Sequence, residues 1–110
     1  MIITFQSRAA GDVMMFGDVA RRMMEIIGKE PADRGIVTVE DLPAAIARLR
    51  AAIAADKAAR AGRGPAALPE TEKVPGGGER PFVTVAQRAQ PLLELFEQAA
   101  KREQPVVWGI

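Results

Sequence analysis

The chain opens with a hydrophobic segment of the kind that is typical of a β-strand. The segment IITFQS is rich in β-branched and aromatic residues and turns polar at its end. With a period of two, Ile3 and Phe5 share one face, and Ile2, Thr4 and Gln6 share the other. The pattern therefore predicts a strand over residues 2–7.

The next stretch, RAAGDVMMFGDVARRMMEIIG, permits two structures. One is a long helix that begins at Asp12, whose N-terminus beside the preceding loop could hold an anion. The other is a hairpin, with a turn at residues 9–11, in which Gly11 is free to take a positive φ, and DVMMF as the returning strand. Gly17 would cost the long helix about 1 kcal/mol, and VMMF would make it apolar on every side. The pattern favours the hairpin, followed by a helix that Asp18 caps.

Three later segments have apolar residues three or four positions apart, which predicts three amphipathic helices. The first covers residues 19–27 and ends at Gly28, which suits a helix C-terminus. The second begins at Thr38, which with Asp41 resembles a capping box, and runs to about Arg60. The third begins at Thr84, the start of a second capping box, and runs to KREQP. The apolar stripes of the second and third helices comprise Leu42, Ile46, Leu49 and Ile53, and Val85, Ala89, Leu92, Phe96 and Ala99.

Residues 62–81 interrupt this pattern with nine Gly or Pro in twenty positions. Such a composition predicts a flexible internal linker. The terminal VVWGI is again strand-like. The chain is therefore predicted to be one α+β domain over residues 1–110, in the order ββαααβ. A small, mostly antiparallel three-stranded sheet joins the hairpin to the C-terminal strand, with the helices packed on it.

The amino-acid composition excludes the commonest catalytic groups but does not point to one function. The 110 residues include no His, Cys or Tyr, and the formal net charge is +1. The usual acid–base group and the thiol nucleophile are therefore missing, and Ser7, the only serine, has no histidine to activate it. We expect no enzyme activity, no metal site and no cofactor. No segment is typical of a signal peptide or a membrane helix, so the expected compartment is the cytoplasm.

A few residues are weak candidates for binding. Arg8 in the predicted turn could contact an anion. A run of basic residues in and after the second helix could contact nucleic acid, but the basic excess is small and aromatic residues are missing from it, so the pattern favours a solvated helix face. Trp108 could pack in the core or serve as an exposed anchor. The methionines at positions 14, 15, 23 and 24 favour core packing. The basic residues concerned are Arg48, Arg50, Lys57, Arg60 and Arg63.

Several separated blocks of the chain resemble one protein family. The blocks FQSRAAGDVMM, IIGKEP, GIVTVEDLPAAIARL, QRAQPLLELF and VVWGI resemble the bacterial family known as domain of unknown function 1840. The resemblance covers nearly the whole chain apart from residues 62–81. It implies a small bacterial protein and brings no activity, substrate or catalytic residue.

Three hypotheses of function remain. The first is a non-enzymatic interaction or accessory module that binds a protein partner or forms a homodimer, because so narrow a sheet leaves Ile2, Thr4, Met14 and Phe16 on an uncovered face. The second is a small-ligand or anion-binding protein that uses Arg8. The third is weak nucleic-acid binding through residues 48–63.

Overall fold

A computed structural model describes residues 1–60 and 71–110 of the chain. In chain order, the elements of these two ranges are β1 (Ile2–Ser7), β2 (Ala10–Phe16), α1 (Gly17–Ile26), β3 (Gly35–Val37), α2 (Leu42–Arg60), β4 (Thr71–Lys73), β5 (Glu79–Pro81), α3 (Val85–Lys101) and β6 (Val106–Trp108). The α+β class and the three predicted helices are confirmed.

The main sheet has four antiparallel strands in the order β2-β1-β6-β3, so the predicted three-stranded sheet is wrong by one strand. The predicted pairing of the first and last strands is confirmed, with Phe5 opposite Trp108. The additional strand, β3, is only three residues long, which is too short for alternation to reveal it. Gly35 lets β3 approach the indole, because a Cβ there would lie 2.1 Å from Cζ2 of Trp108.

The predicted hairpin is confirmed, but its turn lies one residue earlier than expected. Ser7 pairs with Ala10, so the turn consists of Arg8 and Ala9, and Gly11 belongs to β2 without a positive φ. The Ser7 hydroxyl accepts a hydrogen bond from the Ala9 N–H at 3.2 Å. The register then shifts by one residue opposite Gln6, which makes a β-bulge in β2.

The start of α1 differs from the prediction. The helix begins at Gly17, and its N-cap residue, Phe16, makes no side-chain hydrogen bond. Asp18 lies inside the first turn and therefore does not cap the helix. The Gly17 N–H donates instead to the Met1 carbonyl at 2.8 Å, which joins the start of the chain to the end of β2.

The other predicted helix ends agree better with the structure. Gly28 takes φ +85° just after α1, as expected for a C-terminal glycine. Both halves of the capping box at Thr84 and Gln87 are present. α2, however, begins at Leu42, three residues later than a capping box at Thr38 predicts, and the Thr38 hydroxyl accepts from the Asp41 N–H at 3.3 Å within the turn that precedes the helix.

α1 and α3 pack on one face of the sheet, where Ile3 and Phe5 are buried as predicted, and α2 packs against α3 and α1. Met23 and Met24 are fully buried beneath them, whereas Met14 is exposed, so the core interpretation holds for only part of the methionine cluster. The other fully buried large side chains are Trp108, Phe96, Leu42, Leu49, Leu92, Val37 and Val106.

Residues 71–81 form a small separate hairpin of β4 and β5, which we call the arm. Its turn contains three consecutive glycines, 76–78, all with positive φ. The second half of the predicted linker 62–81 therefore contains regular structure. The composition did not reveal this hairpin, because the three glycines that suggested a flexible linker form its turn. The first half of the linker lies outside the described residues.

Candidate interaction surface

The second face of the main sheet, which we call the outer face, points away from the helices. Ile2 pairs with Phe16, and Thr4 pairs with Met14, so these four side chains share this face. The remaining strands extend it through the pairs Gln6–Val107 and Val107–Ile36. Among the described residues, the helices lie on the other side of the sheet, and the arm meets the outer face only at its Phe16 end.

Large apolar side chains are exposed on or beside this face and nowhere else in the described part of the chain. The exposed fractions are 70% for Met14, 53% for Ile2, 46% for Phe16 and 42% for Ile36, while Met1 and Ile110 at its margin reach 77% and 78%. The expectation that Ile2, Met14 and Phe16 would be left uncovered agrees with these values. Contiguous exposure of this kind is typical of an interaction surface.

Two depressions flank Met14. A hollow of about 510 Å³ on the outer face is lined by Ile2, Thr4, Gln6, Asp12, Met14 and Ile110, among others. A groove of about 360 Å³ follows the free edge of β2 and is closed on its other side by Gln87, Arg88 and Pro91 of α3. Because Ile2, Met14 and Phe16 line the groove too, the apolar surface continues from the outer face around the edge of the sheet.

An ionic cluster joins the arm to the end of the outer face. The Arg80 guanidinium donates to both carboxylate oxygens of Asp18, at 3.1 and 2.6 Å, and to Glu72 at 2.9 Å. Arg88 of α3 donates to the same Glu72 oxygen. The Arg80 side chain is only 11% exposed, and its central carbon lies 4.8 Å from the centre of the Phe16 ring. The cluster thus fixes the arm against α1, α3 and the last residue of β2.

The same contacts shift two pKa values. The hydrogen bonds from Arg80 lower the pKa of the Asp18 carboxyl below its ordinary 3.8, with burial acting in the opposite direction. The hydrogen bond to Asp18 likewise raises the pKa of the Arg80 guanidinium. Both shifts arise from the ion pair between Asp18 and Arg80. They therefore reflect the contact that attaches the arm to α1.

We expect Asp18→Asn to change the pH dependence of folding. A carboxyl whose pKa is lower in the folded state adds stability above its unfolded pKa and loses it as the pH falls through the folded pKa. The difference in free energy of unfolding between wild type and variant should therefore be constant well above the ordinary carboxyl pKa of 3.8 and shrink as the pH falls below it. Urea denaturation at several pH values measures it. A difference that stays constant down to the lowest pH would contradict this role of the ion pair.

The candidate residues named from the sequence do not converge on one site. Arg8 lies exposed in the hairpin turn, at the opposite end of β2 from the N-terminus of α1. Trp108 is 1% exposed, and its Nε1–H donates to the Ala32 carbonyl at 3.1 Å, which agrees with the packing interpretation.

The basic residues of α2 are also dispersed. Arg48 donates to the Ile27 carbonyl at 2.8 Å, at the end of α1, and Arg50 pairs with Glu97 of α3. Lys57 is exposed. The Arg60 side chain and the whole of Arg63 lie outside the described residues, so the predicted patch is only partly visible.

Sequence reasoning missed Ile36 and the ionic cluster. The sequence contains no usable signal for Ile36, because the three-residue GIV segment is too short to show alternation. No local pattern connects Asp18 with Arg80, which are 62 positions apart. Within the two described ranges, no group of three acidic side chains is placed to hold a metal ion. No helix there is long and apolar enough to cross a membrane.

Comparison with known proteins identifies the family to which the chain belongs. Searches among curated proteins and among solved structures found no match to this chain. The model of the family described as Domain of unknown function (DUF1840) matches residues 1–108 of the 110. That match includes both the outer face and the arm. The chain therefore belongs to the DUF1840 family.

Proposed function

We propose that this chain is a non-enzymatic protein-interaction module that binds a protein partner through its outer face. The observation that carries the proposal is the collection of exposed large apolar side chains on one uncovered side of the sheet. Burying such side chains on binding removes apolar surface from water, which is the main driving force of protein association. The cytoplasm is the compartment that we propose for it.

The chemistry of the chain supports a binding role over a catalytic one. The full sequence contains no His, Cys or Tyr. Its single serine accepts a backbone hydrogen bond that stabilises the β1–β2 turn. In residues 1–60 and 71–110, the two clearly shifted pKa values belong to Asp18 and Arg80, which neutralise each other. A catalytic carboxyl or base needs a group poised to exchange protons, and this pair is not so poised.

A photo-crosslinking amino acid placed at position 14 tests the proposal in cells that produce the protein. We expect crosslinked adducts at position 14 and at position 36, because both side chains project from the outer face. The matched control is position 47, where Ala47 is exposed on α2 on the helical side of the molecule. Adducts restricted to positions 14 and 36 support the interaction surface. Equal labelling at all three positions, or no adducts at 14 and 36, would overturn it.

A further inference from the structure

We infer that the outer face binds the outer face of a second copy of this chain, so that two sheets pack together with the helices on the outside. This inference rests on the proposed function and names its partner. In the dimer, Ile2, Met14, Phe16 and Ile36 of both copies form a shared apolar layer between the sheets.

The exposed area is of the size that a stable dimer needs. At roughly 200 Å² for a fully exposed residue of this size, the six exposed apolar residues offer on the order of 700 Å² per copy. A standard protein interface buries about 800 Å² per partner. One face therefore nearly accounts for a complete interface by itself, and a partner larger than a second copy is not required to cover it.

The arrangement of side chains also suits packing of the face on itself. Apolar residues occur on all four strands, with Phe16 and Met14 on β2, Ile2 on β1, Val107 on β6 and Ile36 on β3. Polar Thr4 and Gln6 lie among them on β1, and Asp12 lies beside them on β2. Two sheets stacked about 10 Å apart interdigitate such side chains. A two-fold axis then closes the assembly at two copies.

Edge-to-edge pairing of two β2 strands is the competing arrangement for a second copy. It would join two sheets into one and leave both outer faces exposed to water. The bulge opposite Gln6 and the charge of Asp12 also disfavour strand addition along the first part of β2. Packing through the outer face is therefore the arrangement that the structure favours.

Light scattering coupled to size-exclusion chromatography tests the dimer with purified full-length protein over a concentration series. The 11.8 kDa chain should elute with twice that mass. Met14→Lys and Ile36→Lys should each raise the dissociation constant by more than about 30-fold, with unchanged far-UV circular dichroism. Ala47→Lys adds the same charge on α2 and should leave the dimer intact. A monomeric wild type at about millimolar concentration, or a dimer that persists in both face variants, would overturn the inference.

A disulfide test removes any dependence on charged substitutions. The chain has no cysteine, so Thr4→Cys places a single thiol in the middle of the outer face. Under mild oxidation this variant should form covalent dimers much faster than Ala47→Cys does, and equal rates would count against the inference.

The proposed interaction module and the proposed homodimer can be distinguished by experiment. A monomeric protein that still forms adducts of other masses at position 14 retains the interaction module but loses the homodimer.

Discussion

Replacing Trp108 by alanine is expected to destabilise the fold by about 3–5 kcal/mol, a large part of the stability of a small domain. The indole is 1% exposed and lies with its ring centre 5.4 Å from that of Phe5. It also covers Gly35 of β3, and its N–H donates to the Ala32 carbonyl. One side chain thus packs β6 against both neighbouring strands, and alanine would leave a cavity and an unpaired carbonyl.

Urea denaturation followed by far-UV circular dichroism measures this loss. Fluorescence is unsuitable because Trp108 is the only tryptophan in the chain. Trp108→Phe is the matched control, since it keeps a ring beside Phe5 but removes the donor to Ala32, and we expect it to cost less than the alanine variant. All variants are compared at one protein concentration, because the dimer that we propose would make the measured stability depend on concentration. An alanine variant within about 1 kcal/mol of wild type would contradict the core role of Trp108.

The long periodic segments of this protein could be predicted from sequence. The stripe from Leu42 to Ile53 and the capped helix at Thr84 carry repeated signals that agree with each other, so both helices are where the pattern indicates. The two faces of the hairpin could be predicted too, because the period of two in a strand separates Ile3 and Phe5 from Ile2 and Thr4. The part of the apolar outer face on β1 and β2 could therefore be predicted from the sequence.

The features that the sequence could not predict depend on contacts between segments that are far apart in the chain. β3 is three residues long and exists because β6 offers it a partner, which a local window cannot detect. Aspartate is a common N-cap residue, and the sequence therefore predicts that Asp18 caps α1. In the structure both of its carboxylate oxygens instead accept hydrogen bonds from Arg80. The same contact explains the arm, because a linker-like composition becomes ordered when a charged residue within it finds partners on the body of the protein.

Replacing Arg80 by methionine is expected to loosen the arm while leaving the helical core folded. The guanidinium joins Asp18 and Glu72 and lies over Phe16, so its loss leaves two carboxylates without their shared partner. Removing one member of a fully buried ion pair costs about 3–5 kcal/mol, and exposed pairs contribute less than about 1 kcal/mol. This side chain is 11% exposed and Asp18 is 37% exposed. We therefore expect an intermediate loss of about 1–3 kcal/mol, confined mainly to residues 71–81.

Native-state hydrogen exchange read residue by residue measures this local effect. Amides of the arm should lose roughly 5- to 150-fold of their protection, because opening of the arm becomes more favourable by that amount, while α2 and α3 retain theirs. Arg21→Met is the matched control, since Arg21 pairs with Asp33 at the surface, where the two side chains are 42% and 67% exposed. If the arm exchanges equally fast in wild type, Arg80→Met and Arg21→Met, then the ionic cluster does not hold it. In that case the turn glycines and the backbone hydrogen bonds between β4 and β5 must account for its structure.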